Sequence, residues 1–259
     1  FILRRLKSDK SIIKDLPDKI ENNQYCSLTK EQTAIYEKTV KNTLKSVTDA
    51  EGIERKGLVL KLMTALKQIC NHPNQYLKKP NPDPNTSGKM MLLLSILENI
   101  LDNNEKTLIF TQYKEMGDLL AEVIEKNFSS IPLFLHGGTT RKQRDELVNK
   151  FQEGKSNKIF ILSLKAGGTG LNLTAASNVI HYDLWWNPAV EAQATDRAYR
   201  IGQQSNVMVC RLLTKGTLEE KIDLMLNSKK ELANLTVVSG EKWIGELSNK
   251  ELKELVSLS

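Results

Sequence analysis

Gln193, Arg197 and Arg200 stand four and three residues apart in WWNPAVEAQATDRAYRIGQQ. Asn187 suits an N-cap and Pro188 a first helical position, which predicts a helix running from there to about Arg200, with Gly202 as its stop. On such a helix the three side chains share one face. One amide and two guanidiniums in a row are suited to an anion. Arginine forks onto phosphate oxygens and offsets charge that develops in phosphoryl transfer. Asp196 and Arg200 are also four apart, and an exposed ion pair between them, worth about 0.3–0.5 kcal/mol, is the structural alternative.

The elements that would carry these residues alternate. From Gly88 onward, helical and short apolar segments follow one another: GKMMLLLSILENILDN, TLIFT, KEMGDLLAEVIEKN, IPLFLHG, TTRKQRDELVNKFQ, NKIFILSL, NVIHYDL, the arginine helix, NVMVCRLL and TLEEKIDLMLNSKKELANL. This order predicts an α/β fold whose parallel sheet is covered by helices on both faces. Ligands of such sheets collect at the carboxyl ends of the strands. Gln112 and Tyr113, then His136 to Thr139, then Ser163, Lys165 and AGGTG, then Trp185 to Asn187 fall there. Gly167, Gly168 and Gly170 allow close backbone approach or positive φ, and Ser163, Lys165 and Thr169 suit phosphate. Trp185 and Trp186 are adjacent, and neighbours in extended chain face opposite ways, so one of them is expected to meet a partner.

Other candidates are set aside. SGKMM, Ser87 to Met91, is not a Walker A loop: Asn85 stands upstream and Met90 follows the lysine where Ser or Thr is needed. No acidic box of an NTPase follows a strand. Cys70 and His72 lie in CNH without a second ligand pair. The three cysteines are far apart, which speaks against a disulfide framework. No apolar run approaches the roughly 20 residues of a membrane span, and no signal peptide stands out. A net charge of +6 is compatible with a nucleic-acid partner.

The first 86 residues read differently. FILRRLKSD is amphipathic and basic, LPDKIENNQYCSL alternates as a strand, and Thr29 with Gln32 suits a capped helix start. A polar break at TDAEGIERKG is expected before a second helix that stops at Pro73, and KKPNPDPNTSG is the best internal boundary. The opening FILRR looks like a cut through a longer protein.

LIFTQY, LHGGTTRKQR, ILSLKAGGTGLNLTAA, VIHYDLWWNP and EAQATDRAYRIGQ, in this order, resemble the motifs of the second RecA-like lobe of the Swi/Snf-type ATPases of helicase superfamily two. FILRR, LPDKIE and LKQICNHP resemble that family's interlobe segment and helical protrusion. The resemblance implies residues 1–86 as interlobe segment and protrusion, 87–236 as a RecA-like lobe, and 237–259 as a closing segment. It implies ATP-driven translocation along double-stranded DNA, with ATP between two lobes and magnesium held by the first lobe, which is missing here. By motif position Arg197 and Arg200 would be arginine fingers with Gln193 beside them, and Gly168 and Gly170 would adjoin the nucleotide. Gln112, Arg141, Ser163, Lys165 and Trp186 would lie along the DNA groove. The chain alone would then be inactive as an ATPase. The expected setting is a monomer off the membrane, cytoplasmic in a prokaryote or nuclear in a eukaryote, and not secreted. A non-catalytic DNA- or partner-binding module that keeps the motor fold is the alternative, and an RNA helicase lobe of the same superfamily a third.

Overall fold

The computed structural model describes residues 16–128, 130–163, 170–232 and 244–259. FILRRLKSD, Gly167, Gly168, Lys165 and Thr169 lie outside the described residues.

Six strands form one sheet: β1 (Lys19–Cys26), β2 (Thr107–Thr111), β3 (Leu133–Leu135), β4 (Ile159–Ser163), β5 (Asn178–His181) and β6 (Val207–Thr214). Their spatial order is β1-β6-β5-β2-β4-β3, and every pairing is parallel. Three of the inner strands, β2, β4 and β5, are buried at every position, as expected where helices cover both faces. Leu108, Phe110, Phe160, Leu162, Val179 and Val209 build the core on one face, with Phe151. Ile109, Ile161, Ile180 and Leu212 build the other, against Met90, Leu93 and Leu97 of α4 (Gly88–Asp102) and Met116, Leu120 and Val123 of α5 (Lys114–Phe128). The parallel sheet covered on both faces is therefore as the alternation predicts.

β1 is the expected N-terminal strand, yet it pairs with β6, far away in sequence, with Lys19 opposite Val207. It is an edge strand with mostly exposed residues, and Ile20 and Tyr25 point outward. Thr29 does cap α1 (Lys30–Asp49), and its capping box with Gln32 is complete. The polar break is shorter than expected: α2 (Gly52–Asn71) begins three residues after α1 ends. Gly52 takes a φ of +57°, which lets the chain turn there. Pro73 ends α2 but opens α3 (Pro73–Leu77), with the His72 imidazole accepting from Asn74 N–H as its cap.

A third core joins these helices to the C-terminus. Tyr36, Leu62, Leu66 and Ile69 pack with Leu218 and Ile222 of α8 (Leu218–Leu232), with Leu252 and Val256 of α9 (Asn249–Val256), and with Trp186. Cys70 is fully buried there, and burial pushes its thiol pKa up, so it is a core residue.

Candidate functional site

SGK, Ser87 to Lys89, proves structural. Ser87 accepts from Met90 N–H as the cap of α4 and donates to Asn71 O at 2.7 Å. A Cβ on Gly88 would stand 1.9 Å from Ser27 O. Lys89 is fully buried and bonds both oxygens of Glu219 at 2.7 and 2.8 Å. Burial opposes its charge most strongly, but Glu219, with smaller contributions from Cys70 and Cys26, keeps the ammonium pKa above the ordinary lysine value.

The carboxyl edge of β2, β4 and β5 gathers the residues that the sequence places after those strands. Thr111 pairs in register with Ser163, which is buried. Thr111 donates its hydroxyl to Asp183, and Gln112 N–H donates to the other Asp183 oxygen at 2.8 Å. Gln112 Nε2 donates to Leu184 O at 2.6 Å. The edge is thus fixed by side chains rather than left as loose loops. Asp183 itself is fully buried; burial raises its carboxyl pKa, against Lys67 and the bonds from Thr111 and Gln112, which lower it. Of the two tryptophans, Trp186 is 8 % exposed and lies in the core, with Lys67 Nζ 4.5 Å from its ring centroid. Trp185 keeps part of its surface open.

The arginine helix is shorter than the sequence predicts. Its N-terminus is as expected, with Asn187 capping Ala189 N–H and Pro188 first, but α7 (Pro188–Thr195) ends at Thr195. Thereafter the chain tightens: Arg197 N–H bonds Ala194 O and Arg200 N–H bonds Ala198 O. Gln193, Arg197 and Arg200 therefore do not share a helical face. Gln193 and Arg200 are exposed, while Arg197 is buried. The tight turns are stitched to the end of the glycine loop: Leu173 N–H donates to Arg197 O at 2.9 Å and Arg200 Nη1 to Leu171 O at 3.4 Å. Gln203 closes them, with Nε2 on the carbonyls of Ala176 and Ala198 and Oε1 accepting from Gln204 and Ser205 N–H.

Arg141, at the start of α6 (Arg141–Glu153), lies with Gly170 rather than with Gln112. Arg141, Arg144, Asp145, Gly170, Leu171 and Asn172 line one cavity of about 490 Å³. Gly170 has a φ of +103°, open to glycine and strained for other residues. Arg144, three residues after Arg141 and on the same side of α6, is absent from the sequence-based candidates. Its spacing from Arg141 is the signal that could have found it. Burial lowers the Arg197 pKa, and the Arg144 charge nearby lowers it further. Arg141, Arg144 and a permissive glycine thus share the cavity, with Arg197 near enough to feel the Arg144 charge, and an oxyanion entering the cavity would relieve that repulsion. No three His, Cys, Asp or Glu side chains gather as metal ligands among the described residues, and no described helix is long and apolar enough to cross a membrane.

Two family models match the sequence: the helicase conserved C-terminal domain over residues 88–202 and the SNF2-related domain over residues 1–75. A putative ATP-dependent helicase/translocase YwqA of Bacillus subtilis is 50% identical over all of this chain, which spans 28% of that protein's length. The SWI2/SNF2 ATPase core of Sulfolobus solfataricus, solved in complex with dsDNA, is 47% identical with a TM-score of 0.85, covering 100% of this chain and 54% of its own. The C-terminal domain of that ATPase, solved separately, is 43% identical with a TM-score of 0.81, covering 93% of this chain and 100% of its own.

Proposed function

We propose, starting from a chain that belongs to the Swi/Snf-type ATPases of helicase superfamily two as their C-terminal RecA-like lobe, that it supplies half of the active site of a DNA-dependent ATPase that moves along double-stranded DNA. The pairing of Arg141 and Arg144 at the cavity of Gly170, with Arg197 close enough to feel the Arg144 charge and Arg200 bonded to Leu171 of the cavity wall, carries this proposal. Arg197 and Arg200 act as arginine fingers on ATP bound between this lobe and a first lobe. Gly168 and Gly170 let the backbone approach the nucleotide. The fingers offset the charge that builds on the transferring phosphoryl group. Magnesium accompanies ATP and is held by the first lobe. Without that lobe the chain does not hydrolyse ATP.

DNA lies along the carboxyl edge. Gln112, Ser163, Lys165 and the open side of Trp185 track its backbone, while Trp186 is held in the core and Arg141 stands apart at the Gly170 cavity. Such contacts are made to phosphates, so affinity falls with salt and is nearly indifferent to sequence. The solved duplex complex of the Sulfolobus ATPase core supports a duplex as the partner.

The test is Arg200→Ala in the complete protein, first lobe included. Turnover is expected to fall by about 10³-fold or more, with duplex affinity changed less than about threefold. Turnover that stays within a few-fold of wild type removes the finger role. Duplex binding without any hydrolysis by the wild-type protein would instead favour a binding module that keeps the motor fold.

A further inference from the structure

The peptide group between Leu184 and Trp185 is held at both ends. Its carbonyl accepts from Gln112 Nε2 at 2.6 Å and from Lys67 Nζ at 2.8 Å. Its N–H donates to Glu191 Oε1 at 2.8 Å. The other Glu191 oxygen accepts from Arg211 Nε at 3.0 Å, and Arg211 also reaches Asp223 Oδ1 at 2.8 Å and Asn23 Oδ1 at 3.0 Å. Lys67 and Glu191 are both buried. The three groups on this peptide come from three parts of the fold. Lys67 belongs to α2 of the helical segment, Gln112 follows β2 at the carboxyl edge, and Glu191 belongs to α7, which leads directly into the turns of Arg197 and Arg200.

A peptide unit is planar and stiff, so its oxygen cannot move without moving its hydrogen. Hydrogen bonds on its two ends also polarise one another. Two buried charged side chains are a costly way to fix a loop. We propose that the Leu184–Trp185 peptide is the joint through which engagement of the Gln112 edge reaches the arginine turns, with Lys67 and Glu191 as positioning residues on either end of it. The proposal rests on the function given above, since it links the DNA-facing edge to the nucleotide-facing turns of that same site. It assigns Lys67 a role that neither phosphate chemistry nor core packing alone requires.

The experiment measures ATP hydrolysis by the complete protein against duplex DNA concentration, with duplex affinity read separately by fluorescence anisotropy. Lys67→Met keeps the length of the side chain but loses the donor and the charge. Stimulation by saturating duplex is expected to fall by about fivefold or more, with duplex affinity within about threefold of wild type. Lys67→Arg keeps a cationic donor and is expected to retain stimulation within about twofold. Normal stimulation in Lys67→Met, or a loss of affinity in step with stimulation, or an Arg variant as defective as Met, overturns the proposal. Should Lys67→Met not fold, Glu191→Gln, which keeps the shape and loses the charge, is held to the same criteria. A wild-type protein that duplex DNA does not stimulate removes the parent function as well. Stimulation that survives in the variant removes only the joint.

Discussion

His181 illustrates how one buried side chain sets a pH limit. It lies fully inside the sheet, stacked on Phe110 with ring centroids 5.6 Å apart, and its Nε2 meets Thr195 Oγ1 at 2.9 Å. Burial and the nearby Arg211 push its pKa down to about 3 from an ordinary 6.5. The unfolded chain therefore takes up a proton between these values that the folded chain refuses. Stability from this group is whole above pH 6.5 and is lost as pH falls towards 3, by roughly 1.4 kcal/mol per pH unit. His181→Gln, which does not titrate, is expected to show a flatter fall in unfolding midpoint between pH 7 and pH 5. Parallel curves for the two proteins would contradict the assignment. At this scale the sequence was legible where side-chain type decides the role. The N-cap Asn187, the Thr29 capping box and the rejection of SGKMM as a phosphate loop all follow from local chemistry. Burial was not legible: nothing in WW says that Trp186 turns inward while Trp185 keeps open surface.

Elements are held together here by a few buried polar side chains between them. Lys89 of α4 and Glu219 of α8 form one such clamp, which also reaches Asn71 of α2 at 3.3 Å and Thr214 N–H at 3.0 Å. Lys89→Met strands a buried carboxylate and is expected to cost roughly 3–5 kcal/mol, seen as a lowered denaturant midpoint. Replacing both, Lys89→Met with Glu219→Leu, should recover most of that loss in a double-mutant cycle. If the double variant is as unstable as the single, the cost lies elsewhere. Gly88 is a second fixed point. Gly88→Ala would press a methyl onto Ser27 O and force α4 away from the β1–α1 connection, so the midpoint should fall, while Gly57→Ala, inside α2 with open space around it, should raise it, by about 0.5–1 kcal/mol of stability. Strand and helix order were legible from apolar runs and caps. The end of α7 was not, because the helical spacing of the arginines continues past Thr195. There the main chain instead bonds across to Leu173, and the Gln203 amide closes the turns from the far side. Tertiary hydrogen bonds outcompete one further helical turn, and no local pattern announces them.

At the scale of the whole molecule, the helical segment is tied at both ends to the lobe. β1 precedes it in sequence yet closes the sheet beside β6, and α9 returns from the C-terminus to pack on α1 and α8. Motif order in the sequence was enough for the sheet and its carboxyl edge, but this closure joins residues far apart in sequence and leaves no local trace. This closure ties the helical segment to the sheet at β6 and to the C-terminal helix. With a net charge of +6 and arginines grouped at one cavity, duplex binding by the complete protein should weaken log-linearly with salt, by about 0.9 in slope for each phosphate neutralised. Arg144→Ala is expected to reduce that slope by about one unit if it meets a phosphate of the duplex, and to leave it unchanged if it serves only ATP. The most direct measurement is ATP hydrolysis by the complete protein without nucleic acid, with single-stranded DNA and with duplex DNA, beside the 259-residue chain under the same conditions. The half-site predicts strong stimulation by duplex in the complete protein and no hydrolysis by the chain alone; hydrolysis by neither, or equal hydrolysis by both, would contradict it.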